Sequence, residues 1–150
     1  MNGAESFYSN DSKMLGGERV QVALRIRPLL QHERGRNDQN VISVQSQTNV
    51  VLSVPSQGPK QFTFNAVLNE NCRQAEVFQA CGVHELINSA LEGYSATIFA
   101  YGQTGSGKTF TMMGNEKDIG QDHWKPDMSN DGLFLQAVRF MWEAMTMRQE

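Results

Sequence analysis

The sequence predicts an α/β fold, three layers built on a central mixed β-sheet. Three observations lead there. Val20, Val22, Leu24 and Ile26 alternate with Gln21, Ala23, Arg25 and Arg27, which is the period of a strand. Ala96–Tyr101 is a nearly continuous apolar run of strand length, the pattern of a strand buried on both faces in the middle of an α/β sheet. Apolar residues at helical spacing precede that run, between Asn71 and Gly93, and follow it after Asp131.

Taken in chain order, residues 1–18 are rich in Ser, Asn and Gly without an apolar period. They are expected to form a loose arm ending just past Gly16-Gly17, ahead of one domain over 19–150. The first strand starts at Val20 and stops at Pro28, which cannot donate to a ladder, and it sends Arg25 and Arg27 out on one face. Residues 31–40 read as a polar connection. Val41–Val44, Asn49–Val54 and Gln61–Asn65 are short β-branched or aromatic runs separated by turn residues, and they predict an antiparallel meander with Phe62 and Phe64 on one face. Asn71 caps a helix, with Gln74 three residues on, and Val77, Phe78, Cys81, Ile87, Ala90 and Leu91 form its stripe with a weak point at Gly82. Gly93 stops it. Residues 114–131 are a long polar loop. Asn130 or Asp131 caps a last helix whose stripe, Leu133, Phe134, Ala137, Val138, Met141, Ala144 and Met145, is expected in the core.

Composition narrows the function. Hydrophobic residues make up 39%, and 13 glycines bring the total to roughly 48%, as in soluble globular chains. No apolar run approaches the ~18 residues that span a bilayer. A net charge of −3 gives no electrostatic case for nucleic acid or membrane binding. Cys72 and Cys81 lack metal spacing and are expected as free thiols of a reduced, cytosolic setting, Cys81 as a small core residue. His32, His84 and His123 are scattered, fit no metal or nucleophile constellation, and are expected on the surface or in loops.

The chemistry concentrates between the apolar run and a short helix ending at Met112-Met113-Gly114. Gly102-Gln103-Thr104-Gly105-Ser106-Gly107-Lys108-Thr109 fits G-x-x-x-x-G-K-[ST]. Glycines let the backbone curl so that successive N–H groups face phosphate oxygens, and the following helix adds its positive end. Lys108 is expected to reach the β- and γ-phosphates and the Thr109 hydroxyl to ligate Mg²⁺. At ordinary residue frequencies a chance match in such a chain occurs about half a percent of the time. The motif specifies a purine nucleoside triphosphate with Mg²⁺.

The wider wording is more specific. Gly93 through Met112 (GYSATIFAYGQTGSGKTFTM) resembles, almost position for position, the nucleotide-loop segment of the kinesin motor domain. Val20–Leu29 is similar to that family's first strand with its R-x-R-P adenine motif, Phe62–Val67 to its F-x-F-D-x-V, and Gln74–Phe78 to its Q-x-x-V-F. The resemblance covers residues 19 to about 147. It implies a three-layer P-loop NTPase fold of the kinesin motor type, with ATP and Mg²⁺ as ligands. It also implies that Arg25 and Pro28 of the R-x-R-P motif, with Arg27, meet the adenine while Phe110 closes the other side; guanidinium, proline and aromatic rings all pack on a purine face.

The family's activity, ATP hydrolysis coupled to movement along microtubules, implies tubulin as partner and a cytoplasmic, cytoskeletal place. Two motifs that sense the γ-phosphate, N-x-x-S-S-R-S-H and D-L-A-G-x-E, are not in this chain, so the resemblance implies the N-terminal portion of a motor domain with an incomplete sheet. The rival readings are a truncated or degenerate nucleotide-binding relative without motor activity, and another P-loop enzyme such as a small kinase, against which the R-x-R-P strand argues. Asn65 stands where the family has Asp, Leu68 where it has Phe, and Leu135-Gln136 where it has Pro-Arg; the last bears on a family surface contact, not on the nucleotide loop.

Overall fold

Backbone pairing begins later in the first strand than its alternation suggests. In the computed structural model, which describes residues 20–115 and 130–147, β1 is Ala23–Arg25. It pairs in parallel with β5 (Ala66–Leu68), Ala23 opposite Ala66 and Arg25 opposite Leu68. Asn65 sets the start of that ladder. Its N–H donates to the Val22 carbonyl at 2.9 Å and its Oδ1 accepts the Val22 N–H at 2.8 Å. A side-chain oxygen is all this contact needs, so Asn serves where an Asp would. Val20 and Val22 stay exposed, and Ile26 N–H to the Leu68 carbonyl closes the pair.

The segment expected as a plain connection contains a one-turn helix, α1 (Gln31–Gly35). Glu33 makes it possible, because its carboxylate accepts the otherwise orphaned N–H of Leu30 at 2.8 Å. The meander is present: β2 (Ile42–Val44), β3 (Asn49–Val54) and β4 (Gly58–Thr63) pair antiparallel in that order. β4 starts three residues before the expected Gln61, since the turn after Val54 is short enough for Gly58 to face Val54. Beyond Thr63 the chain leaves the meander and forms β5, a strand too short to carry a periodic signal.

Helix α2 (Gln74–Ala80) starts three residues after the expected cap at Asn71. The Asn71 N–H is taken by Asn69 Oδ1, and Glu76 caps instead, accepting the Arg73 N–H at 2.7 Å. At Cys81-Gly82 the chain turns, and α3 (Val83–Leu91) continues separately, so the expected single helix is two. α4 (Lys108–Met113) and α5 (Leu133–Met147) complete the described elements. The long loop's residues 116–129 and the N-terminal arm up to residue 19 lie outside the described residues.

Leu68, Val77, Phe78, Val83, Ile87 and Leu133 form the core, with Cys72, Cys81, Met112, Ala137 and Phe140 packed around it. Each such buried aliphatic or aromatic side chain contributes about 1.5–3 kcal/mol. Leu68, in place of the family's Phe, is fully enclosed. His84 is no surface histidine: it packs edge-on between Phe78 and Phe140 at ring distances of 4.7 and 4.5 Å.

Two expectations fail by position. Ala96–Tyr101 is not a buried strand. No described strand pairs with it, and without a ladder it stays exposed, Phe99 at 76% and Tyr101 at 96%. On α5 the core side is Leu133, Gln136, Ala137 and Phe140, whereas Phe134, Val138, Met141 and Met145 of the expected stripe face outward. Gln136 is wholly buried, its amide donating to the Asp131 carbonyl at 2.7 Å, so that position is not a surface contact. The α/β class stands, with parallel and antiparallel pairing, but the two kinds of pairing sit in separate sheets rather than one. No helix among the described residues is long and apolar enough to cross a membrane.

Candidate functional site

Residues 102–107 turn the chain from the extended run into α4. Gly105 and Gly107 take φ of +79° and +96°, a region that side chains rarely enter. The turn thus needs glycine at both positions, as the motif supplies. The Lys108 side chain folds back over it, Nζ donating to the Gly102 carbonyl at 2.8 Å and the Gln103 carbonyl at 2.9 Å. A cavity of about 280 Å³ opens on the loop, lined by Thr104, Gly105, Gly107, Lys108, Thr109 and Phe110. Gly102, Gln103 and Ser106 do not line it, and the Ser106 N–H donates to the Gln103 carbonyl.

These residues fit a Mg²⁺-bound polyphosphate. The cavity is walled by a glycine-rich backbone, one ammonium group and the hydroxyls of Thr104 and Thr109, donors of the kind that a polyphosphate and its divalent cation take. Among the described residues Lys108 holds two neutral carbonyls, and a phosphate oxygen would offer it a charge-assisted partner instead.

The R-x-R-P residues reach the loop by separate routes. Arg27 Nε donates to the Gly105 carbonyl at 2.9 Å, and its two terminal nitrogens pair with both Glu33 oxygens at 2.7 and 2.6 Å. That fork keeps the Arg27 guanidinium charged and, together with the Leu30 N–H, holds the Glu33 carboxyl down at about 2. Arg25 lies half-buried against α4, its guanidinium 5.2 Å from the Phe110 ring centre and bonded to Thr111 Oγ1 at 3.0 Å. Burial lowers its pKa. Pro28 is exposed, and its carbonyl accepts from Arg27 at 2.9 Å. Arg25, Arg27 and Pro28 do not line the cavity; Phe110 does, and it is 48% exposed there.

Two residues with no expected role at the site hold this arrangement. Glu33 fixes Arg27, and Gln74, 2% exposed, joins Arg25 to α4. Gln74 lies in the Q-x-x-V-F block, so a signal for it existed; Glu33 sits in a stretch that reads only as polar. Neither cysteine lines the cavity. Burial pushes the Cys72 thiol up to about 11 and raises that of Cys81 as well, so both favour the neutral thiol.

Comparison with known proteins agrees with the geometry. The kinesin motor domain model matches residues 25–150. Klp61F, a kinesin-like protein of Drosophila melanogaster, is 34% identical over 143 residues, 94% of this chain and 13% of that protein. Kinesin-like protein KIN-14C of Arabidopsis thaliana is 46% identical over 99 residues, 63% of this chain and 12% of that protein. A solved structure of a fast kinesin, described with its ATPase mechanism and interactions with microtubules, superposes with a TM-score of 0.71 and 28% identity over 83% of this chain and 32% of its own. This chain therefore spans about one-eighth of the length of these curated relatives. With the family's model matched from β1 to the end of α5, the chain belongs to the kinesin motor-domain family.

Proposed function

We propose that this chain is the ATP-binding part of a microtubule motor, holding Mg²⁺-ATP on the 102–109 loop. The observation that carries the reading is Lys108 lying across that loop, its ammonium group on two carbonyls beside the cavity and free to exchange them for phosphate. Backbone N–H groups of the loop and Lys108 would bind the phosphates, Thr109 would hold the cation, and Phe110 backed by Arg25 would receive the base. Arg27 keeps the loop's shape through Gly105. A cation held at Thr109 would supply neutralisation of the phosphates' charge. Family membership supports ATP hydrolysis coupled to microtubule binding, and with it a cytoplasmic, cytoskeletal place.

One observation favours a second reading, a nucleotide-binding chain without motor activity. Phosphoryl transfer needs a group that orients the attacking water. None of the six residues lining the cavity is a carboxylate or an imidazole. One experiment tests what both readings share, and a second divides them. Lys108→Ala should abolish binding of labelled ATP, since charge-assisted bonds to phosphate carry about 1.5–3 kcal/mol each, and Thr109→Ala should weaken only the Mg²⁺-dependent part. ATP binding by Lys108→Ala equal to the unmodified protein's would refute the loop assignment. Phosphate release with added microtubules then separates motor from non-motor: stimulated turnover by this chain would remove the second reading.

A further inference from the structure

The Q-x-x-V-F block buries a polar side chain. Gln74 opens α2, is 2% exposed, and touches two other elements at once. Its Oε1 accepts from Arg25 Nη1 of β1 at 2.8 Å, and its Nε2 donates to the Phe110 carbonyl of α4 at 2.7 Å. Only one orientation of the amide satisfies both partners: turned over, it would set an NH₂ against a guanidinium and an oxygen against a carbonyl. A buried amide with both ends matched fixes what it joins, because losing either bond leaves a desolvated polar group unpaired.

What it joins is the base end of the site. Arg25 is held by Gln74, by Thr111 Oγ1 and by the Cys72 carbonyl at 3.4 Å, and so held it covers the Phe110 ring. Phe110 is pinned on its backbone by the same Gln74. Lys108 and Thr109, at the phosphate end, have no bond to Gln74. We propose that Gln74 is a positioning residue for nucleobase binding, presetting the Arg25–Phe110 stack on which the purine lies without touching the phosphates. This rests on the nucleotide reading above and adds to it a residue outside the phosphate loop.

Calorimetry of the full chain with Mg²⁺-ATP and with Mg²⁺-tripolyphosphate, which has the phosphates but no base, tests it. Gln74→Leu should weaken ATP by about tenfold and tripolyphosphate by less than about twofold, so that the preference for the nucleotide collapses. Gln74→Glu, which keeps the acceptor for Arg25 and loses the donor to Phe110, should fall between Gln74→Leu and the unmodified protein. Unchanged tripolyphosphate binding also shows that the variant is folded. Equal losses for both ligands would make Gln74 a general structural residue, and an unchanged ATP affinity would make it irrelevant; either overturns the proposal while the nucleotide reading survives. Failure of the unmodified protein to bind either ligand would overturn both.

Discussion

Glu33 shows how a residue with no chemistry of its own can shape a ligand loop. Its two oxygens hold Arg27, Arg27 holds the Gly105 carbonyl, and one of the same oxygens caps α1. The carboxyl titrates at about 2 in the folded protein against an ordinary 4.5. A depressed carboxylate stabilises the fold fully above its unfolded pKa, and that contribution is lost as pH falls from about 4.5 towards 2. Glu33→Gln should therefore lower the melting temperature slightly near pH 7 and leave it unchanged near pH 2, roughly the limits of the linkage. Melting curves of both proteins across that range check it, and a difference that persists at the acid end would contradict the pairing. The Arg27–Gly105 contact was legible only in part. The R-x-R-P wording marks Arg27 for the adenine, yet its guanidinium is spent on Glu33 and a loop carbonyl, because a paired charge beside backbone is favoured over one left in solvent.

Elements chosen by local chemistry were legible, and those chosen by distant partners were not. The meander follows from β-branched runs and turn residues a few positions apart, and the turn into α4 from the glycines at 105 and 107. β5 is three residues long and exists because Asn65 and Leu68 meet β1, over forty residues earlier, so no window of sequence could announce it. The α4–α5 junction is of the same kind. Gly114 pairs with Asp131 across the long loop, and a Cβ on Gly114 would meet the Asn130 carbonyl at 2.5 Å and the Gly132 nitrogen at 2.7 Å. Both of those neighbours are backbone and cannot step aside. Gly114→Ala should therefore cost about 1–3 kcal/mol in urea unfolding, as overpacked sites do, with its φ of +89° adding strain. Gly35, whose Cβ would meet open space, serves as control: Gly35→Ala should be neutral or stabilise by up to about 1 kcal/mol. Equal costs at the two glycines would mean that the loop's base is not closed by this contact.

At the scale of the whole molecule, surface chemistry departs most from the sequence pattern. Helical spacing on α5 correctly gives an amphipathic helix, but spacing does not say which side meets a partner. Here Leu133, Ala137 and Phe140 face the core, while Phe134, Met141, Met145 and Trp142, the last 71% exposed, face water. The Tyr94–Tyr101 segment adds a second apolar exposure, with Tyr94 at 70% and Phe99 at 76%, and its backbone groups make no ladder among the described residues. Contiguous apolar surface beyond a few hundred Å² is rare on monomeric proteins, and extended chain with unpaired N–H and C=O groups invites pairing between molecules. The isolated protein should accordingly bind an apolar dye in its native state and self-associate as concentration rises. Trp142→Glu combined with Met145→Lys, both on the exposed side of α5, should reduce dye fluorescence and shift sedimentation towards the monomer without lowering the melting temperature. Phe99→Asp, on a separate segment of the chain, should lower dye fluorescence further. A monomer that binds no dye at any concentration would show that these side chains are covered in solution, and would return the α5 stripe to the core.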